Sequence, residues 1–281
     1  GLQSETTGTQ VLLTFLLLLP GSQIALEAVN FLVMRLLPPR ILPKMNYKVS
    51  GVPDSCRTLV VVPVILMDTE GVREEVEKLE IRYLANKENN LLFALFTDFV
   101  DAAEEHDEAD AHLLGTAKAC MKELNARYGG RRFLLFHRER VWSDSEQRYI
   151  GWERKRGKLE ELNGLIDGTR PEGAPRLLQV GEQNQLSNVR FVITLDSDTQ
   201  LPNGSARRMI ETLSHPLNVA HVDGGGRITS GYTIIQPRVS ASLPSMSRSP
   251  FSRLFSNPIG IDPYTSAVSD VNQDLAGEGS Y

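Results

Sequence analysis

The chain has 281 residues, 41% hydrophobic and 23% charged, with a formal net charge of −5 at pH 7. This is an ordinary globular composition and excludes collagen-like, low-complexity and disulfide-framework proteins. The negative balance argues against affinity built on neutralising phosphate backbones, so nucleic acid is not an expected partner.

Cys56 and Cys120 lie far apart, with neither CxxC spacing nor a histidine cluster. Neither a disulfide scaffold nor a zinc site is expected, and a reducing compartment fits. The first residue is Gly1 and the last, Tyr281, follows directly on a motif-like run, so both ends are expected to be cuts.

Residues 11–34, VLLTFLLLLPGSQIALEAVNFLVM, would span about 36 Å as a helix, enough to cross a bilayer. The stretch lacks the basic start and small-residue cleavage site of a signal peptide. Residues 1–35 are therefore expected to form a transmembrane helix. Pro20, Gly21, Gln23, Glu27 and Asn30 are tolerated in hydrocarbon only against protein, so neighbouring membrane helices are expected from elsewhere. Arg35, Arg40, Lys44 and Lys48 follow with few acids, which by the positive-inside rule puts the rest of the chain in the cytoplasm.

Residues 36–57 are proline-rich without apolar periodicity and read as a linker, which leaves 58–281 as the folded domain. TLVVVPVIL, 58–66, has the continuous apolar character of a strand buried on both faces. Residues 69–84 carry Val72, Val76, Leu79 and Tyr83 on one helical stripe, with Thr69 as the expected N-cap. A second strand is expected over 91–97. The acid-rich run 101–110 reads as a solvated loop leading into a helix at 111–128. A third strand is expected at 132–137. A basic helix near 152–163 comes next, then a Gly, Pro, Gln and Asn-rich loop over 168–188 and a fourth strand at 189–195. Strands alternating with helices predict an α/β fold, a mostly parallel sheet flanked by helices that binds its ligand at the carboxyl ends of the strands.

Three features could carry chemistry. FVITLDSDT places Asp196 and Asp198 just past the fourth strand, where two acids at i and i+2 can share a hard divalent cation and leave positions for phosphate oxygens. Two solvated turn residues would give the same pattern. WERKRGKLEELN concentrates Arg154, Lys155, Arg156 and Lys158 in an acidic protein, as an anion site or as a solvated helix balanced by Glu153, Glu160 and Glu161. Asp98 closes the second strand on the same sheet edge, where a carboxylate accepts from a pyrimidine N–H or from ribose hydroxyls. No Gly-x-Gly-x-x-Gly follows the first strand and no P-loop is present, so phosphates must be held by other means.

In this order, TLVVVPVIL, NLLFALFTDFVDA, GWERKRGKLEELN, RFVITLDSDTQLP and SNPIGIDPYTSAVSDVNQDLAGEGSY resemble the glycosyltransferase domain of cyclic β-1,2-glucan synthases. The resemblance runs from about Leu36 to Tyr281, and the preceding helix is similar to the last membrane helix before that domain. It implies a GT-A-type nucleotide-sugar fold, C-terminally incomplete, at the inner membrane of a bacterium. It also implies UDP-glucose as donor, Mg²⁺ or Mn²⁺ as cofactor and a β-1,2-glucan acceptor.

By the resemblance, Asp196 and Asp198 take the metal and diphosphate, Asp98 the uridine, and Lys155, Arg156 and Lys158 face the nucleotide. Asp262, Asp270, Asp274 and Glu278 fall in a motif near donor sugar and acceptor, with no individual roles assigned. A β-linked product from an α-linked donor implies inversion, with a general base expected beyond residue 281, in the remainder of the synthase polypeptide. An inactive UDP-sugar-binding fragment and a different membrane-bound hexosyltransferase remain as alternatives.

Overall fold

The computed structural model describes residues 2–37, 41–169, 177–180 and 186–237, with Ser249 and Val271 as single positions. The first element, α1 (Leu2–Leu36), contains an apolar stretch, Gly8–Val33, long and apolar enough to cross a membrane. Its large side chains, among them Leu12, Phe15, Leu17, Ile24 and Phe31, are exposed. The helix continues through Pro20.

A second unit covers Pro43–Thr233. Its sheet is formed by β1 (Thr58–Leu66), β2 (Leu91–Phe99), β3 (Phe133–Arg138), β6 (Leu177–Val180) and β7 (Phe191–Thr194), in the order β6-β3-β2-β1-β7. The four strands expected from the apolar runs are parallel to one another, and β6 joins β3 antiparallel. β6 lies inside the stretch read as a loop. A hairpin, β4 (Val141–Ser143) with β5 (Arg148–Ile150), was likewise not expected; both pieces are too short and too mixed to show a period.

Alternate residues of each central strand feed opposite faces, as strand geometry requires. Val60, Val62, Phe93, Leu95, Phe133 and Leu135 pack under α2 (Thr69–Ala85), α3 (Asp110–Arg127) and α5 (Ser205–Leu213). Leu59, Val61, Ala94, Phe96, Leu134 and Phe136 pack against Leu162 of α4 (Arg154–Asp167). The α2 stripe is buried as expected, but its N-cap is Asp68, whose carboxylate accepts from Gly71 N–H at 2.8 Å, rather than Thr69.

The proline-rich stretch is not a free linker from Pro43 onward. Tyr47 N–H donates to the Glu211 carboxylate at 2.7 Å, its hydroxyl reaches Ser214, and Asn218 donates to the Pro43 carbonyl. Val52 and Cys56 are buried. Apolar periodicity fails here because irregular backbone packs through isolated side chains and hydrogen bonds.

The chain runs β1, β2, β3 to one side of β1 and then crosses to β7 on the other. β1 and β7 are therefore the reversal point, where open sheets of this kind form a crevice at their carboxyl ends. Pairing between them stops at Val61 with Thr194, two residues before Pro63. Beyond that pair β1 has a partner on one side only, the position where a strand tolerates a residue without N–H.

Candidate active site

Asp196 and Asp198 follow β7 at this reversal point, both exposed. The turn that carries them closes through a Thr199 N–H to Asp196 C=O bond of 3.0 Å. It is held from beneath by the buried Arg82 of α2, which donates to the carbonyls of Asp196, Ser197 and Thr199 at 2.7–3.3 Å. Asn86, one turn later, donates to the Leu201 carbonyl and accepts from Ala206 N–H.

Facing Asp196 stands the start of α4. Its N-cap, Glu153, has φ 43° and ψ 44° and makes no capping hydrogen bond, and its first turn holds Arg154, Lys155 and Arg156 with no acid. Each of these choices opposes helix stability: a non-glycine residue in the left-handed region, no side-chain cap, and cations at the positive end of the dipole. Local rules broken together on one turn mark a place shaped by something other than stability, and free N–H groups with clustered bases suit an anion.

Lys155 spans the gap, its Nζ 2.5 Å from Asp196 Oδ1. Both side chains are more than half exposed, at 55% and 57%. Arg154 pairs with Asp101. Arg156 bonds back to Glu153 and Glu160 on its own helix and does not join Asp196, so for this residue the balanced-surface reading describes the contacts.

Asp98 and Lys158 are placed differently from the expectation of open groups. Asp98 is 1% exposed, and its carboxylate takes both Nε and Nη2 of Arg138, at 3.0 and 3.1 Å, and Nζ of Lys158 at 3.0 Å. Lys158 also donates to the Val64 carbonyl at the end of β1. Arg138 reaches on to Glu161. Burial pulls the Lys158 ammonium below the ordinary lysine value, while the Asp98 charge opposes that shift. The correction has a simple cause: a strand-end acid points into the crevice only where nothing covers it, and here α4 lies over it. Asp98 and Lys158 together tie α4 to β1 and β2 and thereby place Lys155.

Sequence reasoning missed Arg82 and Arg138. Arg82 falls three positions after Leu79 on the buried stripe of α2, and Arg138 ends the buried β3 run; a charge on an apolar face was the available signal. Among the described residues no group of three or more His, Cys, Asp or Glu side chains could hold a metal. Two exposed carboxylates still suit a magnesium-type ion, which commonly uses one or two protein carboxylates and completes its shell with water and phosphate. Asp262, Asp270, Asp274 and Glu278 lie outside the described residues.

No family model matches the chain. In an alignment covering 98% of its length, it is 40% identical to the cyclic beta-(1,2)-glucan synthase NdvB of Rhizobium meliloti (strain 1021). The chain is homologous to a segment of that synthase. It spans about 10% of the synthase's length. The resemblance carried by the motifs is thereby borne out, and the alignment reaches back over α1, the helix that the resemblance also took in.

Proposed function

We propose that this chain carries the donor site of a membrane-bound glucosyltransferase of the GT-A type, taking UDP-glucose and a divalent cation for growth of a β-1,2-glucan. The reading rests above all on one observation: the uncapped, basic first turn of α4 meets Asp196, through Lys155, at the β1–β7 reversal point. Similarity to the glucan synthase supplies the sugar chemistry.

In this reading Asp196 and Asp198 hold Mg²⁺ or Mn²⁺ through hard carboxylate oxygens. The bound cation would neutralise a leaving diphosphate. Lys155 and the first N–H groups of α4 take the phosphate oxygens, as helix N-termini do. Asp98 and Lys158, closed beneath α4, support the site, and neither is assigned a direct contact with uridine. Inversion at the sugar follows from a β-linked product. The exposed apolar surface of α1 lies in a bilayer, and the Arg and Lys residues after it keep the sheet on the cytoplasmic side of a bacterial inner membrane.

The test is calorimetric titration of UDP and then UDP-glucose into the detergent-purified chain with Mn²⁺, repeated with Asp196→Ala and Asp198→Ala. Metal-dependent binding lost in both variants is the expected result. Absence of binding to a chain shown to be folded would remove the donor-site assignment.

A further inference from the structure

We infer that Arg82 is a positioning residue for the Asp196–Asp198 turn, presenting its two carboxylates to a divalent cation. The inference rests on the donor-site reading above and assigns a task to a residue that touches neither metal nor substrate.

A single buried guanidinium makes four contacts with three backbone acceptors of the turn, the carbonyls of Asp196, Ser197 and Thr199, from a helix more than a hundred residues away in sequence. Carbonyls of a tight turn converge on one side, and a planar fork of donors is the side chain that can bind several of them at once. With those carbonyls drawn inward, the Asp196 and Asp198 side chains are left on the solvent side, where both are exposed. Burial disfavours the charged form of Arg82, and the carboxylates of Glu75 and, to a lesser degree, Asp198 oppose that effect. A buried charge disfavoured by its surroundings is an unfavourable way merely to fill space, and an apolar residue would suit the α2 stripe better. Asn86 already fixes the next stretch, from Leu201 to Ala206, so the contribution of Arg82 is local to the two acids.

Positioning and simple charge predict opposite signs. Arg82→Met removes a positive charge near Asp198, which on Coulombic grounds alone would tighten cation binding. Loss of positioning weakens it, by about tenfold or more on the scale of residues that orient metal ligands. The experiment is Mn²⁺ titration of the full detergent-solubilised chain, read from the electron paramagnetic resonance signal of free Mn²⁺ well below the melting temperature of each variant. Wild type, Arg82→Met, Arg82→Lys, Asn86→Ala and Asp198→Asn are compared.

The expected pattern is weaker binding in both Arg82 variants, with Asn86→Ala lowering thermal stability but leaving Mn²⁺ affinity unchanged. Should Arg82→Met fail to fold, Arg82→Lys decides, because it keeps the charge and loses the fork. Unchanged or tighter Mn²⁺ binding in a folded Arg82 variant overturns the inference while the donor site stands. An Asn86→Ala loss equal to that of Arg82 reduces both residues to general stability and also overturns it. Wild-type binding that is absent, or that survives Asp198→Asn, removes the donor-site reading and this inference with it.

Discussion

Lys155 and Asp196, 41 positions apart, meet as an ion pair across the carboxyl edge of the sheet, Nζ to Oδ1 at 2.5 Å. The ammonium lies against the carboxylate that the proposed cation would use. In the proposed site, metal and lysine would therefore compete for Asp196 until a diphosphate engaged both. Lys155→Gln is expected to tighten Mn²⁺ binding without nucleotide by about twofold to fivefold, the range of an exposed pair. The same variant should weaken UDP binding in the presence of Mn²⁺. Calorimetry in both orders of addition checks the two signs, and added salt should shrink the first effect.

Asp98 is the only anion in contact with the buried Lys158 and is shared with Arg138, among the described residues. Asp98→Asn leaves two buried cations with less compensation and should cost about 3–5 kcal/mol of stability. Asp98→Asn combined with Lys158→Met should recover part of that loss. Denaturant unfolding of the single and double variants measures the coupling.

Close approach of α4 to the sheet depends on Gly157. A Cβ there would stand 2.6 Å from the Trp152 carbonyl, 2.8 Å from Arg138 Nη1 and 2.8 Å from the Trp152 ring. Gly157→Ala usually favours a helix, but here it must displace backbone or break the Arg138 network. A destabilisation of about 1–3 kcal/mol is expected from overpacking, with a lowered thermal midpoint as the readout.

His137, the β3 neighbour of Arg138, is buried with Nδ1 2.9 Å from the Thr97 hydroxyl. That hydroxyl donates to the Phe136 carbonyl, which leaves its oxygen to accept from Nδ1–H and makes Nε2 the bare nitrogen. Nε2 is buried with no hydrogen-bond partner among the described residues. Burial lowers the His137 pKa from 6.5 to about 4. The unfolded chain therefore binds the extra proton first as pH falls. The stability that neutral His137 contributes is complete above about pH 6.5 and is lost progressively down to about pH 4, amounting to about 3 kcal/mol by linkage. His137→Phe should flatten this part of the curve, measured by denaturant midpoints between those two pH values.

Strands β1, β2 and β3 were legible because they are buried on both faces. TLVVVPVIL, after its first residue, and LLFALF are continuous apolar runs, and the observed β1 matches its expected bounds while β2 continues through Thr97 and Asp98 to Phe99. The α2 stripe was legible for the same reason, since burial of one helical face imposes a period. Pro43 to Cys56 was not, because packed irregular chain carries no period and its partners, Glu211 and Ser214, lie far along the sequence.

For the site, the sequence by itself determined which charged residues border a strand end or a helix start. It could not decide which of them face solvent. Asp98, Lys155, Arg156, Lys158 and Asp196 look alike as charges on neighbouring elements, yet only Lys155 and Asp196 of these meet as an exposed pair, while Asp98 and Lys158 close on each other beneath α4. Arg82, on an apolar stripe, proves to be the residue that holds the acidic turn. Tertiary structure decided these roles because a charge is defined by what desolvates and pairs it, and in this fold those partners come from elements distant in the chain and joined only at the sheet edge.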